Sequence, residues 1–382
     1  MVERTSWNLR HDPAERAAFR RRAAADVRRA AAPMPRWRYL GLVWSLLAAV
    51  HDLHTMAWPD VEERSYLPVA FYWASDGLVA LPVEGSPPGI RLGDRVLSLG
   101  GRTPPALARA LGRYMTNTGY GMRSEACRLD LLSAHYSLSW LGAVDRRDQV
   151  PIVLENAQGK VERLDLPFVR WPDALNRLQA AKTAFEDRFI APDGIPVTPA
   201  AFGWRVVPGR YGVFWLRSFD PSPALSRGVA AFYRAVAADG APNVVIDLQQ
   251  DPGGFTAAGE DLLTPLLVQS VKVAHAALLI DQGSFSASVE LGEEFETAAL
   301  GPLVGQPTGE DLDIVGAQNF SLPRTAVWYQ VGVGPPTDVP GRNAEALYPN
   351  VPLPLTVRDI QRGVNAVDRW LDAGGERRAG TT

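Results

Sequence analysis

The second half of the chain alternates short apolar runs with longer stretches of helical periodicity. The apolar or β-branched runs, which predict strands covered on both faces, are 212–216, 243–248 and 273–281. The stretches with helical spacing between and after them are 225–238, 259–268 and 286–300. Repeated β-α-β order predicts a mostly parallel sheet with right-handed crossovers. In such sheets the ligand site lies beyond the carboxyl ends of the strands.

The first half has a different pattern. Helices are predicted over 12–31, with Asp12-Pro13 as cap and first turn, and over 36–50. Short strands and turns follow, including a hairpin from 150–154 and 161–166. Within them a glycine-flanked segment, 89–101, precedes a predicted helix at 104–114, an arrangement similar to the carboxylate-binding half of a PDZ domain. We therefore predict three regions: 1–62 helical, 63–170 PDZ-like and β-rich, and 171–382 the α/β core.

Composition narrows the possible functions. At 382 residues and 46% hydrophobic content the chain has enough material for two domains with a large core. A net charge of -3 argues against a general binder of nucleic-acid backbones. The N-terminal arginines could form a basic patch, but we interpret them as a solvated helix face: Arg20, Arg21, Arg22, Arg28 and Arg29.

The chain has one cysteine and no visible export signal. Cys127 cannot form an internal disulfide or a cysteine-rich metal site, and we interpret it as a small core or surface residue. The apolar stretch 39–50 is too short to span a bilayer, and no cleavable leader precedes it. The sequence as written predicts a soluble, cytoplasmic protein without membrane insertion. A start site placed too far downstream would hide an export signal.

The first segment with candidate chemistry is 281–288, where a buried strand turns through glycine and small residues into a helix. A serine at a helix N-terminus has free N–H groups beside it that favour developing negative charge, as acyl transfer requires. Ser286 is therefore a candidate nucleophile, with the Ala287 amide as an oxyanion donor. The alternative is that Ser284 and Ser286 only cap the helix.

The second segment follows the preceding strand. Asp251-Pro252-Gly253-Gly254 is a turn in which Gly253 and Gly254 can direct their amides toward a ligand. Taken alone it is an ordinary turn. Paired with the serine loop one βαβ unit later, it predicts the second half of an oxyanion hole.

The third segment contains two of the five histidines, His51 and His54, around Asp52 at the end of the second predicted helix. Histidine is the usual base for a serine nucleophile, so His54 is a candidate general base. The cluster could instead bind a metal, but no second ligand pair at suitable spacing accompanies it. His11 falls in a frayed end, and His275 is predicted inside a buried strand.

In this order, these segments resemble the C-terminal processing (tail-specific) serine peptidase family, which includes the tricorn core and the interphotoreceptor retinoid-binding modules. The resemblance extends over roughly 36–372. It rests on Asp52-Leu53-His54-Thr55, Val245-Ile246-Asp247-Leu248, Asp251-Pro252-Gly253-Gly254, Ser284-Phe285-Ser286-Ala287-Ser288, Val304-Gly305-Gln306-Pro307-Thr308-Gly309, Pro349-Asn350-Val351 and the run from Thr356 to Gly363. It implies a ClpP/crotonase-like core of repeated β-α-β units, with an N-terminal helical layer and a small PDZ-like region.

The departures from the family pattern select among its mechanisms. Many members pair the serine with a downstream lysine, but this chain has Asp311 there and no lysine after Ser286. The resemblance therefore implies the tricorn-like branch, in which a histidine from the Asp-x-His-Thr region acts with a late glutamate. His54 fits that role, and Glu345 is the nearest glutamate, although closer to Pro349 than the family spacing. Leu53 and Val289 replace a polar neighbour and a glutamate, which leaves room for weakened or lost activity.

The resemblance implies hydrolysis of peptides or protein C-termini, guided by the PDZ-like region. Ser286 would attack, His54 would take its proton, and the amides of Gly253, Gly254 and Ala287 would stabilise the oxyanion. No metal or organic cofactor is implied. Two alternatives stay open: an inactive ligand- or peptide-binding protein on the same fold, and a crotonase-type acyl-CoA enzyme that needs no serine nucleophile.

Overall fold

A computed structural model describes residues 1–59, 65–115, 119–170, 174–192, 194–195, 201–310, 316–323, 325, 327–335 and 346–374. The helices are α1 (Val2–Thr5), α2 (Trp7–His11), α3 (Pro13–Ala30), α4 (Arg36–Leu47), α5 (Pro104–Leu111), α6 (Gly119–Arg128), α7 (His135–Trp140), α8 (Ala174–Phe189), α9 (Pro223–Asp239), α10 (Ala257–Leu267), α11 (Ala287–Thr297), α12 (Val357–Arg362) and α13 (Ala366–Asp372), with a 3-10 turn at Ala48–Val50.

The strands are β1 (Met56–Pro59), β2 (Ser65–Tyr66), β3 (Val69–Ala74), β4 (Gly77–Pro82), β5 (Arg95–Leu99), β6 (Gln149–Glu155), β7 (Val161–Pro167), β8 (Val169–Arg170), β9 (Phe202–Val207), β10 (Tyr211–Leu216), β11 (Asn243–Asp247), β12 (His275–Ile280), β13 (Leu303–Gly305), β14 (Ala317–Leu322), β15 (Val327–Gly332) and β16 (Val351–Pro352). The predicted mixed α/β class is confirmed. No helix among the described residues is long and apolar enough to cross a membrane.

The chain divides into two compact units, each made of separate stretches. The first consists of Met1–Lys182, Asp313–Arg342 and Thr356–Gln361. The second consists of Thr183–Leu312, Asn343–Leu355 and Arg362–Thr382.

The first unit combines N-terminal helices with antiparallel sheets. Asp12 caps α3 by accepting the N–H groups of Ala14 and Glu15, and Pro13 occupies the first helical position, as the sequence predicts. Strands β3 to β7 form one antiparallel sheet in sequential order, and β1, β15 and β14 form a second sheet. The predicted hairpin is β6–β7, paired from Gln149 opposite Pro167 to Glu155 opposite Val161.

The second unit is built on a six-stranded sheet in the order β16-β13-β12-β11-β10-β9. All neighbouring pairs are parallel except the β9–β10 hairpin. Alternate residues of each strand enter two apolar layers. Phe214, Ile246 and Leu278 pack with residues of α9, α10 and α11, whereas Val213, Val245 and Leu279 pack with residues of α13. Covering both faces explains why these strands are continuously apolar.

One prediction for this sheet is wrong. His275, predicted inside a buried strand, is the first residue of β12 and is exposed. Within the apolar run, Ala274 and His275 are exposed and burial begins at Ala276. The pattern therefore overestimates burial at the amino end of the strand.

Candidate active site

Two loops follow neighbouring parallel strands of the second unit and are hydrogen-bonded to each other. The Phe285 N–H donates to the Asp251 carbonyl at 3.0 Å, and the Gln250 N–H donates to Asp281 Oδ1 at 2.9 Å. Ser284 Oγ donates to the Leu248 carbonyl at 2.8 Å. The structure therefore brings the predicted serine loop and the predicted glycine turn together at the carboxyl ends of β11 and β12.

Ser286 has a backbone conformation that a serine rarely adopts. Its φ is 55° and its ψ is -121°, directly before the first turn of α11. A non-glycine residue at positive φ costs on the order of 1–3 kcal/mol, and such residues cluster at functional sites. Its side chain makes no capping hydrogen bond to α11, whereas Ser284 uses its hydroxyl to fix the loop. Helix capping therefore does not explain the residue at 286.

Gly253 lies against this serine so closely that no side chain fits. A Cβ at Gly253 would stand 2.6 Å from the Phe285 oxygen, 2.7 Å from Ser286 Cβ and 2.8 Å from the Ala287 nitrogen. Its φ of 88° also favours glycine. The sequence thus places a glycine where the two loops make their closest approach.

The amides predicted for the oxyanion hole differ in their partners. The Gly253 N–H donates to Asp251 Oδ1 at 2.8 Å. The N–H groups of Gly254 and Ala287 have no hydrogen-bond acceptor within the described part of the chain. Gly254 and Ala287 therefore have N–H groups available to an oxyanion, while Gly253 shapes the loop through its own N–H bond.

Three buried carboxylates hold the two loops. Asp247 accepts Arg217 Nη2 at 2.6 Å and the Gln249 N–H at 2.9 Å. Asp281 accepts both the backbone and the side chain of Gln250, and burial raises the pKa of its carboxyl. Carboxylates in these positions fix the backbone, because they pair the N–H groups of Gln249 and Gln250 inside the protein.

The third carboxylate, Asp251, is also perturbed by burial. Burial raises its pKa to about 7, although the Gly253 N–H and the nearby Arg217 charge act to lower it. Its Oδ2 atom is buried without a hydrogen-bond partner in the described structure. Asp251, the first residue of the glycine turn, thus changes protonation state near neutral pH.

Sequence reasoning did not identify Glu310. This glutamate is buried, and its carboxylate accepts the backbone N–H of Ser286. Glu310 directly follows the segment Val304–Gly309, which carries part of the family resemblance, but the resemblance gives no role to residue 310. The sequence did contain a signal for it: a charged residue directly after Pro-Thr-Gly, in the segment that follows an apolar strand.

His54 belongs to the first unit. The predicted helix ends at Leu47 and is followed by the 3-10 turn, and His51 then takes a left-handed conformation with φ of 60°. Thr55 Oγ1 donates to Asp52 Oδ2 at 2.7 Å and accepts the Gly332 N–H at 3.0 Å, which ties the turn to β15. His54 is buried within this turn. Among the described residues no cluster of histidine, cysteine, aspartate or glutamate could hold a metal ion.

The pairing of His54 with Ser286, which lies in the second unit, stays a prediction. Glu345, the predicted third member, lies outside the described residues, as does Asp311. The structure thus assembles the serine loop, the glycine turn and Ala287, and separately fixes the turn that contains His54.

No protein-family model and no curated protein matches the chain. Solved structures do match. Mature CPAF is 13% identical, with 97% of this chain and 93% of that chain covered and a TM-score of 0.65. Mature CPAF complexed with lactacystin is 14% identical, with 88% and 87% covered and a TM-score of 0.59. The photosystem II D1 C-terminal processing protease is 15% identical, with 96% of both chains covered and a TM-score of 0.42.

At these identities the likeness establishes the fold and leaves the activity to be argued from the site. The predicted likeness is confirmed at the level of the fold, by the match to mature CPAF. This chain has the fold of mature CPAF over nearly its whole length.

Proposed function

We propose that this chain is a serine endopeptidase of the C-terminal processing type, acting on peptides or unfolded protein C-termini. Ser286 is the nucleophile and His54 the general base, with Glu345 as the third member. The Gly254 and Ala287 amides form the oxyanion hole on a loop shaped by Gly253. The parallel sheet with its covering helices is the ClpP/crotonase-like core of this proposal.

The observation that carries the proposal is the backbone of Ser286. A strained serine between a strand and a helix has its hydroxyl at a helix N-terminus, next in the chain to the Ala287 N–H. Gly253 packs against it, and Gly254 and Ala287 have amides without acceptors in the described chain. Attack on a carbonyl needs a nucleophile beside such donors, because negative charge develops on the carbonyl oxygen.

The fixed turn around His54 supports its role as the base. A general base needs one defined ring orientation, and hydrogen bonds from Asp52 through Thr55 to β15 make this turn rigid. His54 would take the Ser286 proton on attack and return it to the leaving amine, with the acyl group held as an ester on Ser286 until water releases it.

A pocket in the PDZ-like region supports a peptide substrate. It has a volume of about 740 Å³ and lies between β5 and α5, with Trp73 and Met122 also in its lining. Three arginines border it: Arg95, Arg109 and Arg123. Arginine is suited to bidentate recognition of a carboxylate. Arg95 is paired with Asp76 of the same pocket at 3.0 Å, so Arg109 and Arg123 would hold a peptide's C-terminal carboxylate while apolar walls hold its side chains.

The experiment is labelling with a fluorophosphonate probe. We expect the native protein to be labelled, and Ser286→Ala and His54→Ala to lose labelling. Ser270→Ala and His275→Ala, at exposed positions, are the matched controls and should be labelled like the native protein. If the folded native protein is not labelled, the proposal fails and a ligand- or peptide-binding protein on the same fold is favoured. If His54→Ala keeps full labelling, another residue is the base.

A further inference from the structure

The strained backbone of Ser286 needs a partner that holds it, and the partner in this structure is Glu310. The Ser286 N–H donates to the Glu310 carboxylate. Backbone N–H groups inside a folded protein are nearly always paired, and the Glu310 side-chain oxygen is the acceptor for this one, directly before α11. Glu310 therefore stabilises the conformation in which Ser286 precedes the helix.

Glu310 is itself fixed by its neighbours. The Gly309 N–H donates to the Ser284 carbonyl at 3.0 Å, so this turn also contacts the serine loop directly. Thr308 Oγ1 donates to the Glu310 carbonyl at 3.0 Å and accepts the Leu347 N–H at 2.8 Å. With Glu310 only 3% exposed, its carboxylate has little freedom to leave the Ser286 N–H.

We infer that Glu310 is a positioning residue, which holds the nucleophile through the backbone N–H of Ser286. The inference rests on the proposed function of Ser286. Glu310 takes no proton from the substrate or the hydroxyl in this role; it sets the direction of the Ser286 side chain and of the Ala287 amide. Misplacement of reacting groups by about 1 Å can cost on the order of 100-fold in rate.

Two substitutions distinguish positioning by Glu310 from an electrostatic effect of its negative charge. Glu310→Gln keeps the length and an acceptor oxygen but removes the charge, whereas Glu310→Asp keeps the charge but withdraws it by one methylene. A positioning role predicts that the fluorophosphonate labelling rate falls roughly 100-fold in Glu310→Asp and Glu310→Ala, and by less than about fivefold in Glu310→Gln. The pH profile of labelling should keep its midpoint in Glu310→Gln, because the base is unchanged.

The outcomes that overturn the inference are distinct. Faster labelling of Glu310→Asp than of Glu310→Gln would assign the effect to charge, and faster labelling of Glu310→Ala than of the native protein would make Glu310 an inhibitory anion. Glu294→Gln and Glu294→Ala, at an exposed position on α11, are matched controls and should be labelled like the native protein. Circular dichroism and Tm report folding, and the Gln–Asp comparison decides if the Ala variant does not fold.

Hydrogen exchange supplies a readout that does not depend on activity. In the native protein the amides of the peptide 281–290 should be protected, with Glu310→Gln similar and Glu310→Asp exchanging at least about tenfold faster. Unchanged exchange in Glu310→Asp would overturn the positioning role even if labelling fails. An unlabelled native protein with this exchange pattern would refute the peptidase activity while leaving the Glu310–Ser286 contact established.

Discussion

The two ends of the parallel sheet in the second unit differ in what holds them. At the carboxyl end, buried Asp247, Asp251 and Asp281 are hydrogen-bonded to the loops. At the amino end, a pocket of about 380 Å³ has the exposed His275 and Arg210 in its lining. Both ends are concave or looped, yet the strained serine lies only at the first. Positive φ alone does not distinguish the ends, because Gln269 and Ala299, which precede β12 and β13, also have it. The buried hydrogen bonds and the ψ of -121° at Ser286 mark the candidate site better than pocket volume does.

The largest expected effect compares two ion pairs, one at each end. Asp247 pairs with Arg217 with both side chains buried, whereas Asp372 lies 3.7 Å from Arg210 and is mostly exposed. Asp247→Asn should lower the free energy of unfolding by about 3–5 kcal/mol, because it leaves a buried guanidinium uncompensated. Asp372→Asn should change it by about 0–1 kcal/mol. Urea unfolding measures the free energy of unfolding of both variants. Equal losses would show that the two ends of the sheet do not differ in how they are held.

A pair of glycines gives the next largest effect. Gly253→Ala places a Cβ into the serine loop, so we expect labelling of Ser286 to fall by about 10²–10³-fold as the oxyanion donors move. Gly209 also has a positive φ, of 67°, but a Cβ added there would meet nothing within 4 Å. Gly209→Ala should therefore cost only about 1 kcal/mol of stability, through its backbone, and leave labelling unchanged. If both variants lose labelling to a similar extent, the loss comes from backbone strain at positive φ and not from the close approach of Gly253 to the serine loop.

The smallest of the three effects depends on pH. The pKa of Asp251 is raised to about 7 in the folded state, so between about pH 4 and pH 7 the folded chain holds a proton that the unfolded chain has lost. Stability should therefore fall as pH rises through this range. Asp251→Asn should remove that fall and be more stable than the native protein above pH 7, by about 2–3 kcal/mol.

The measurement is Tm and urea unfolding at pH 5 and pH 8 for the native protein and Asp251→Asn. Asp261→Asn, which alters an exposed carboxylate, is the control and should keep the native pH dependence. If the native protein gains stability from pH 5 to pH 8 and Asp251→Asn does not, the predicted direction of the pH dependence is wrong.

Local patterns predicted three strands and three helices of the second unit, because the causes of these elements are local. The β-branched run from Asn243 predicts β11, and Ser222-Pro223 with Gly240 bounds α9 through a side-chain cap and a left-handed end. The return of 313–342 and 356–361 to the first unit has no such local signal. Contacts between distant residues, not neighbours along the chain, determine that division.

The catalytic roles stay predictions, and the sequence indicated only part of the arrangement around them. Ser286, Gly253 and Ala287 were indicated because the serine loop follows the glycine turn by one βαβ unit, whereas each segment alone could be a helix cap or an ordinary turn. Glu310 was missed because its partner lies 24 residues away and depends on how the turn after β13 packs. The state of Asp251 was equally hidden, because burial, which raises its pKa, is a property of the folded chain.

The single cysteine has a practical consequence. Cys127 is buried, and burial raises the pKa of its thiol to about 12, so almost none is thiolate at neutral pH. The native chain should thus be inert to maleimides without any prior mutation. A cysteine introduced at one exposed position in each unit would be the only reactive pair, ready for two dyes and for fluorescence energy transfer in solution.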